Sequence, residues 1–431
     1  MKTTTRTLAV LTGSLAAASM LAACSTGPTD GGEDGAITLT FANADPAETW
    51  ARVIEAYESE HPDVQIEQLN IPYEQYTSTI NQRLAGGSSG IDLVVVDAGG
   101  AARDWDNRGF LADISDLRDE ATDAAVSPDI VSSREVDGRL LALAPWTSSQ
   151  FLYYNTDVLE AAGVEPPPAD PTAPWTYEQL QDAARAVADA GAAQYPLLFD
   201  QWDTYYQLQM LGESAGGGSG IDENGDVDLT NDGWQHALTW YRSLFEEGLS
   251  PRGVTNDRNG ALFQTGEAGF ILSGPWGVSV ANEGDISYGV APAPYFEGGE
   301  PATSTDSWAV GVTASSQYPD AAKEFLRFIT IDPEGNATSA EVAGITPTNA
   351  EAYAQYADSV EASAEGAADT FGEIMQHQLE NTSVHRPNVI GYSVFEPAAG
   401  QAFSDIRNGA DPAERAAQAE DEIEAQIERL R

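Results

Sequence analysis

The chain has 431 residues, 42% of them apolar, and a formal net charge of −48. That length and apolar content can furnish two large lobes with cores of their own, while so acidic a surface repels phosphate backbones and excludes nucleic acid as a partner. The same charge disfavours anionic ligands unless arginines gather locally, and it speaks to solubility and a saline milieu, not to fold.

Lys2 and Arg6 precede an apolar run of small residues, 8–23. This is the pattern of a secretory signal peptide, because about 16 apolar residues fall short of the roughly 20 that span a bilayer. No second long apolar segment follows, so the chain does not read as a permease. The run ends Leu21-Ala22-Ala23-Cys24, which resembles the lipobox of bacterial lipoproteins. That resemblance implies cleavage before Cys24 and a lipid on its thiol; the other reading is an ordinary cleaved signal beside an incidental cysteine. Cys24 is the sole cysteine, so no intramolecular disulfide can form. Residues 24–35 (CSTGPTDGGEDG) have nothing to bury and read as a flexible tether.

Residues 37–41 are a β-rich run. Residues 49–59 carry Trp50, Val53, Ile54 and Tyr57 at helical spacing and stop at His61-Pro62. Residues 64–69 alternate as a strand, 76–84 read as a helix, and 85–90 (AGGSSG) break it. The run 92–97, DLVVVD, has the continuous apolar character of a strand buried on both faces. Strand, helix, strand, helix, strand predicts an open, largely parallel α/β sheet. Such sheets bind ligands beyond the carboxyl ends of their strands, which makes loops 42–49 and 97–106 candidates. Residues 86–90 also satisfy G-x-S-x-G, but a nucleophile elbow needs a strand before the serine and a helix after it. Here the order is reversed, so the run reads as a turn.

Residues 139–163 are the stretch on which the architecture turns. An apolar run, 140–144, breaks at Pro145; Trp146 and the polar 147–150 follow, then a second apolar run, 151–154. Asn155-Thr156-Asp157 caps a short helix that Gly163 stops. Two strand-like runs joined in this way either form one hairpin or carry the chain from one sheet into another.

Farther on, 166–174 is a proline-rich loop, and Thr176 is an N-cap for a helix with Tyr177, Leu180, Ala184 and Val187 on one face. A short strand, 195–199, leads into Asp200-Gln201-Trp202-Asp203, and 212–220 reads as a glycine-rich surface loop. Residues 222–228 (DENGDVD) have the oxygen ligands of a calcium loop but not the EF-hand register or its closing glutamate. A β-turn at Asn224-Gly225 is the preferred reading. Trp234, Leu238, Tyr241 and Phe245 share a helix face. The segment 263–277, FQTGEAGFILSGPWG, runs through a buried strand into Gly274-Pro275-Trp276. Runs at 288–294 and 306–312, a helix over 319–330, the run ITPTN at 345–349 and a closing helix over 411–431 complete the chain.

Together these segments resemble the extracellular solute-binding proteins of ABC importers, family 1, the sugar-binding group that includes maltose-binding protein. The resemblance is carried by INQRLAGGSSGIDLVVVDAG followed by RGFLADISDL, by the crossover-like stretch 139–163, by F-x-x-G-x-A leading to G-P-W, and by the order of the later runs. It covers residues 37–431. It implies an α/β, two-lobe periplasmic-binding-protein fold (type II-like), each lobe an open, mostly parallel sheet flanked by helices, with the ligand cleft between the lobes. The expected first lobe is 36–145 with 307–346, and the second is 150–303 with 350–431. The implied function is a lipid-anchored protein outside the cell membrane that binds a neutral sugar or oligosaccharide and delivers it to the permease subunits of an ABC importer. No cofactor or metal is expected, and the protein is expected to act as a monomer.

A sugar presents polar edges and flat C–H faces, so its cleft needs planar aromatic walls with carboxylates, amides and arginines around them. Trp50 begins a helix just after the first candidate loop, and Trp146, Trp202, Trp276 and Trp308 sit at or beside strand ends. Each of these is a stacking surface or a packing residue; the G-P-W match favours stacking for Trp276. Asp45, Asp97 and Asp203 lie in the same loops and can accept from hydroxyls, as can Ser148 and Gln150 in the crossover. Arg386 reaches the ligand or anchors a carboxylate. Trp234 and Trp240 lie on a helix and read as packing. The rival class is a glycan-active enzyme, which needs two carboxylates at a defined separation, but no pair is assigned and no catalytic residue is named. The four histidines are scattered and none stands in H-E-x-x-H. A polyamine, peptide or polyol ligand on the same fold is the other alternative.

Overall fold

The computed structural model of the protein describes residues 36–87, 90–96, 100–363 and 369–430. Cys24 with its signal peptide and tether, Ser88 and Ser89 of the G-x-S-x-G run, and the candidate Asp97 lie outside the described residues.

The first lobe is built on a four-stranded sheet. Ile37–Asn43 runs parallel to Val64–Asn70 on one side and to Leu93–Val96 on the other, and Ala309–Val312 closes the sheet antiparallel to Leu93–Val96. The apolar run 92–97 therefore behaves as its pattern predicts, with all four residues of Leu93–Val96 buried. Helix Ala47–Glu60 lays Trp50, Val53, Ile54 and Tyr57 into the core, and His61 ends it just before Pro62.

The second lobe carries another four-stranded sheet, in the spatial order Tyr288–Pro292, Phe151–Asn155, Ala268–Ser273, Tyr195–Phe199. Here the expectation of a mostly parallel sheet gives way. Only Tyr195–Phe199 and Ala268–Ser273 are parallel; the other two pairings are antiparallel. The reason is the direction in which the chain arrives. Phe151–Asn155 enters from the other lobe with Phe151 opposite Ser273, so it starts where Ala268–Ser273 ends. Its helix, Thr156–Ala162, is capped by Asn155, whose side chain accepts from Val158 N–H, and is stopped by Gly163 at a φ of 67°. The capping box of Thr176 with Gln179 opens Tyr177–Ala190.

The expected surface loop 212–220 is instead wrapped around Trp234. Gly212 lies in helix Tyr205–Ser214, and a Cβ there would come within 2.4 Å of the Trp234 ring. The Asp222 segment is a turn: its carboxylate accepts from the N–H groups of Asn224 and Asp226, with Gly225 at a φ of 78°.

Two separate apolar cores result, one under each sheet. Core membership changes sides between Trp146 and Phe151, again between Phe296 and Ala309, and again between Ala340 and Tyr353. Residues 139–163 thus form a crossing and not a hairpin: Leu143 bridges Val310 of the first sheet, and Phe151 belongs to the second. Within the junction Trp146–Thr147 pairs with Thr346–Pro347, and Thr303–Ser304 pairs with Ser383–Val384.

Asp306, just beyond Thr303–Ser304, ties these pieces together. Its Oδ1 receives Arg134 Nη2 at 2.9 Å and His385 Nδ1 at 2.8 Å, and its Oδ2 accepts from Arg386 N–H at 2.8 Å. Burial alone would raise this carboxyl, but Arg134 and His385 overcome that and hold it far below the usual carboxylate range. A depressed carboxylate contributes its stability above the unfolded value of about 4, and that contribution is lost as pH falls below about 4. Arg134→Met leaves the charge buried without its main partner and is expected to cost about 3–5 kcal/mol in denaturant unfolding at pH 7. The deficit should shrink as pH falls below about 4, because the wild type then loses the same attraction. An equal loss at pH 3 and pH 7 would assign the effect to packing.

Candidate ligand cleft

The crossing fixes where a cleft can be. It leaves the first sheet near Val310, the partner of Val95, and enters the second opposite Ser273. The carboxyl ends of Leu93–Val96 and of Ala268–Ser273 therefore both face the junction, the place where open α/β sheets bind ligands.

On the first lobe, Tyr76 joins two strand ends: its hydroxyl donates to Val95 O at 2.8 Å and lies 3.0 Å from Ala42 O. Burial drives that phenol well above its ordinary pKa. Trp308, immediately before Ala309–Val312, meets the Tyr76 ring edge-on, with centroids 6.5 Å apart, and is only half-buried. Trp50 and Trp146 are placed differently. Trp50 is fully buried, stacks on Trp146 at 4.7 Å, and donates Nε1–H to Asp45 at 2.8 Å. Trp146 is equally enclosed and donates to Ser339. These two indoles are core walls with no face for a sugar, and Asp45 orients Trp50. Burial raises the Asp45 carboxyl, and the Trp50 bond opposes the rise.

On the second lobe, Trp276 is half-buried and its ring folds back over Gly274, where a Cβ would fall 2.3 Å from ring atoms. Only glycine leaves room for the indole there. Trp276 Nε1–H donates to Asp200 Oδ2 at 2.5 Å, and Ser273 Oγ donates to the same oxygen at 3.1 Å. Asp200 directly follows Tyr195–Phe199, whose parallel neighbour ends at Ser273. Burial pushes the Asp200 carboxyl up, and the two hydrogen bonds work against it.

Trp202, two residues on, is fully enclosed between Phe199 and Phe245, with centroid distances of 5.9 and 5.6 Å. It is a core residue. Asp203 pairs with Arg407 at 2.7 Å, at the end of helix Tyr392–Arg407 remote from the lobe junction. Burial raises its carboxyl in spite of that arginine.

The crossing residues form a buried floor. Ser148 hydrogen-bonds to the Tyr206 hydroxyl and to Asp306 O; Gln150 donates to the Tyr206 hydroxyl at 2.9 Å and accepts from Gln207 Nε2 at 2.9 Å. The Arg386 guanidinium lies over the Tyr206 ring at 5.1 Å. Ser148, Gln150 and Arg386 are thus brought together, whereas Trp276 and Trp308 stand on opposite lobes. A cavity of about 220 Å³ also straddles the lobes, with Thr77, Asn81 and Trp105 on one side and Ile390 and Ser393 on the other; neither Trp276 nor Trp308 lines it.

The model of the family described as bacterial extracellular solute-binding protein matches residues 43–334. The chain belongs to that family. This solute-binding protein is 25% identical over 291 residues to the galactooligosaccharide-binding protein of Bacillus subtilis, a match that spans 64% of each chain. It is 26% identical over 370 residues to the mannitol-binding protein of Pseudomonas aeruginosa, 82% of each chain. Its fold is that of the GacH receptor of Streptomyces glaucescens (TM-score 0.74, 20% identity, covering 91% of this chain and 99% of that one). It is equally that of maltose-bound MalE3 of T. maritima (TM-score 0.74, 22% identity, 91% and 100%). These relatives and neighbours are binding proteins, not enzymes.

Three residues of this candidate cleft escape a reading by residue type: Asp200, Tyr76 and Tyr206. Asp200 had a signal, since it is the first residue after a strand that ends at the cleft. The two tyrosines had none, because each lies on a helix whose pattern reads as packing. Asp200 also generates a pH test. A carboxyl raised in the folded state binds its proton more tightly there, so stability falls as pH rises through the window above about 4. Asp200→Asn keeps an oxygen for Trp276 and removes the titration. Its melting temperature should therefore gain on the wild type between pH 4 and pH 7, and a constant difference would place the carboxyl in an unburdened environment.

Proposed function

We propose that the protein is the lipid-anchored substrate-binding component of an ABC importer, which takes a neutral sugar or oligosaccharide between its lobes and delivers it to the permease. The observation that carries this reading is the pair of half-buried indoles, Trp276 held by Asp200 and Trp308 set against Tyr76, each at the carboxyl end of its own lobe's sheet. An indole pinned through its N–H keeps its face available, and a sugar's C–H face is what such a surface accepts. The relatives named for galactooligosaccharide and mannitol support a neutral, polyhydroxylated ligand. Two relatives named for sn-glycerol-3-phosphate match half of the chain. An anionic ligand fits poorly here, because Arg134 and Arg386 at the junction already face Asp306 and the Tyr206 ring.

A thermal-shift screen over a sugar panel tests the reading directly, since a ligand at 100 times its Kd stabilises by about 2.7 kcal/mol. Product formation from an oligosaccharide would favour a glycan-active enzyme instead. Trp276→Ala should weaken sugar binding by about 30- to 1000-fold, equivalent to about 2–4 kcal/mol, with the ligand-free melting temperature changed far less. A large loss of melting temperature with near-native affinity would return Trp276 to the core.

Anchoring and export rest on the signal peptide, the stop at Cys24 and the tether that follows. Cys24→Ala should release soluble protein or block processing in a membrane fractionation. Membrane retention identical to the wild type would remove the lipid anchor from the proposal.

A further inference from the structure

We propose that Asp104 of the first lobe caps the N-terminus of helix Tyr392–Arg407 of the second, and that this contact is a latch holding the lobes docked. A helix leaves its first N–H groups without intrahelical partners and carries a partial positive charge at that end. Most helices meet both needs with a side chain at the N-cap. Here the N-cap is Gly391, which has no side chain, and the first turn contains no acidic residue. Nor can another residue take its place: Gly391 has a φ of 92°, and a Cβ would lie 2.5 Å from Ile427. The cap comes instead from across the junction. Asp104 Oδ1 accepts from Gly391 N–H at 3.2 Å, and Oδ2 accepts from Ser393 Oγ at 2.6 Å.

Neighbouring contacts reinforce it. Arg103 Nε donates to Asn388 O at 3.0 Å, and Asn388 Nδ2 donates to Glu135 O at 3.1 Å. None of these residues belongs to a crossing, so rotation of the lobes about the crossings stretches these contacts and takes the carboxylate away from the Gly391 N–H and the positive end of the helix. Each variant of Asp104 therefore shifts the balance between docked and separated lobes, whatever the solute.

Small-angle scattering on the full-length, ligand-free protein reads this balance. Asp104→Lys places a cation at the positive helix end, and its radius of gyration should exceed the wild-type value at an unchanged far-UV circular dichroism spectrum. An unchanged radius overturns the latch. If Asp104→Lys loses helical signal, Asp104→Ala, which removes the acceptor, and the exposed Ser393→Ala decide in its place: smaller expansions in the same direction support the latch, and wild-type profiles from both overturn it. The affinity arm rests on the solute-binding reading. For a sugar identified by thermal shift, Asp104→Ala should weaken Kd by about three- to tenfold, the effect of losing a helix cap. Weaker binding with a wild-type scattering profile would mean that Asp104 touches the solute and is no latch. If no sugar binds the wild type, the functional reading fails while the scattering arm still decides the latch.

Discussion

Taking a carboxylate out of water costs several kcal/mol even after the protein relaxes around it, and Asp306 is almost wholly buried at the junction of the two lobes. What offsets that cost comes from separate parts of the chain: Arg134 from the first lobe, and His385 with the N–H of Arg386 from the second. The backbone carbonyl of the same residue takes the hydroxyl of Ser148 on the first crossing. Asp306 also sits at a φ of 97°, a region that costs a residue with a side chain roughly 1–3 kcal/mol. Such a conformation persists only where its surroundings over-determine it. The charge, the strain and the crossings are therefore settled at one point, and the relative placement of the lobes follows from it.

Around that point the aromatic residues divide by what their polar edges find. Trp50 and Trp146 direct their N–H groups to Asp45 and Ser339 inside the first lobe and lose both faces to packing. Trp276 gives its N–H to a carboxylate at a strand end and keeps part of its ring exposed. The chemistry of the two kinds is the same: indole donating to an oxygen. What differs is whether a second apolar layer covers the ring, and that layer comes from residues distant in sequence. Trp146 covers Trp50 only because the crossing folds back beneath helix Ala47–Glu60.

This is why the elements were legible in the chain and the site only partly so. The apolar run at Leu93–Val96, the capping box at Thr176 and the helix at Pro319–Thr330 are local patterns, and each forms as its pattern predicts. At residues 139–163 the interruption at Pro145 left a hairpin and a crossing equally open, and only the pairing of Leu143 with Val310 and of Phe151 with Ser273 separates them. The direction of Phe151–Asn155 was not legible either, because strand polarity depends on where the chain has come from and not on its alternation. Trp202 reads like a cleft residue from its place after a strand, yet Phe199 and Phe245 close over it. Asp200, two residues before it, holds the half-buried indole of Trp276. Two residues along one loop separate a core position from a position that faces the candidate cleft, and composition cannot see that difference.

The charge balance gives the junction its character. With 20 basic residues against 68 acidic ones, two lobes of like sign repel each other across any cleft they form. Cations are scarce, and several stand at the junction: Arg134 against Asp306, Arg103 against the Asn388 carbonyl, Arg386 over Tyr206. Salt acts unequally on these terms. Surface repulsion over distances beyond the Debye length, about 10 Å at 0.1 M, is largely screened, while a buried pair such as Arg134–Asp306 is screened far less. Raising ionic strength thus removes more of the repulsion between lobes than of the attraction at their junction. An acidic two-lobe protein held this way docks more readily in salt than out of it, although its surface charge alone would argue for separation.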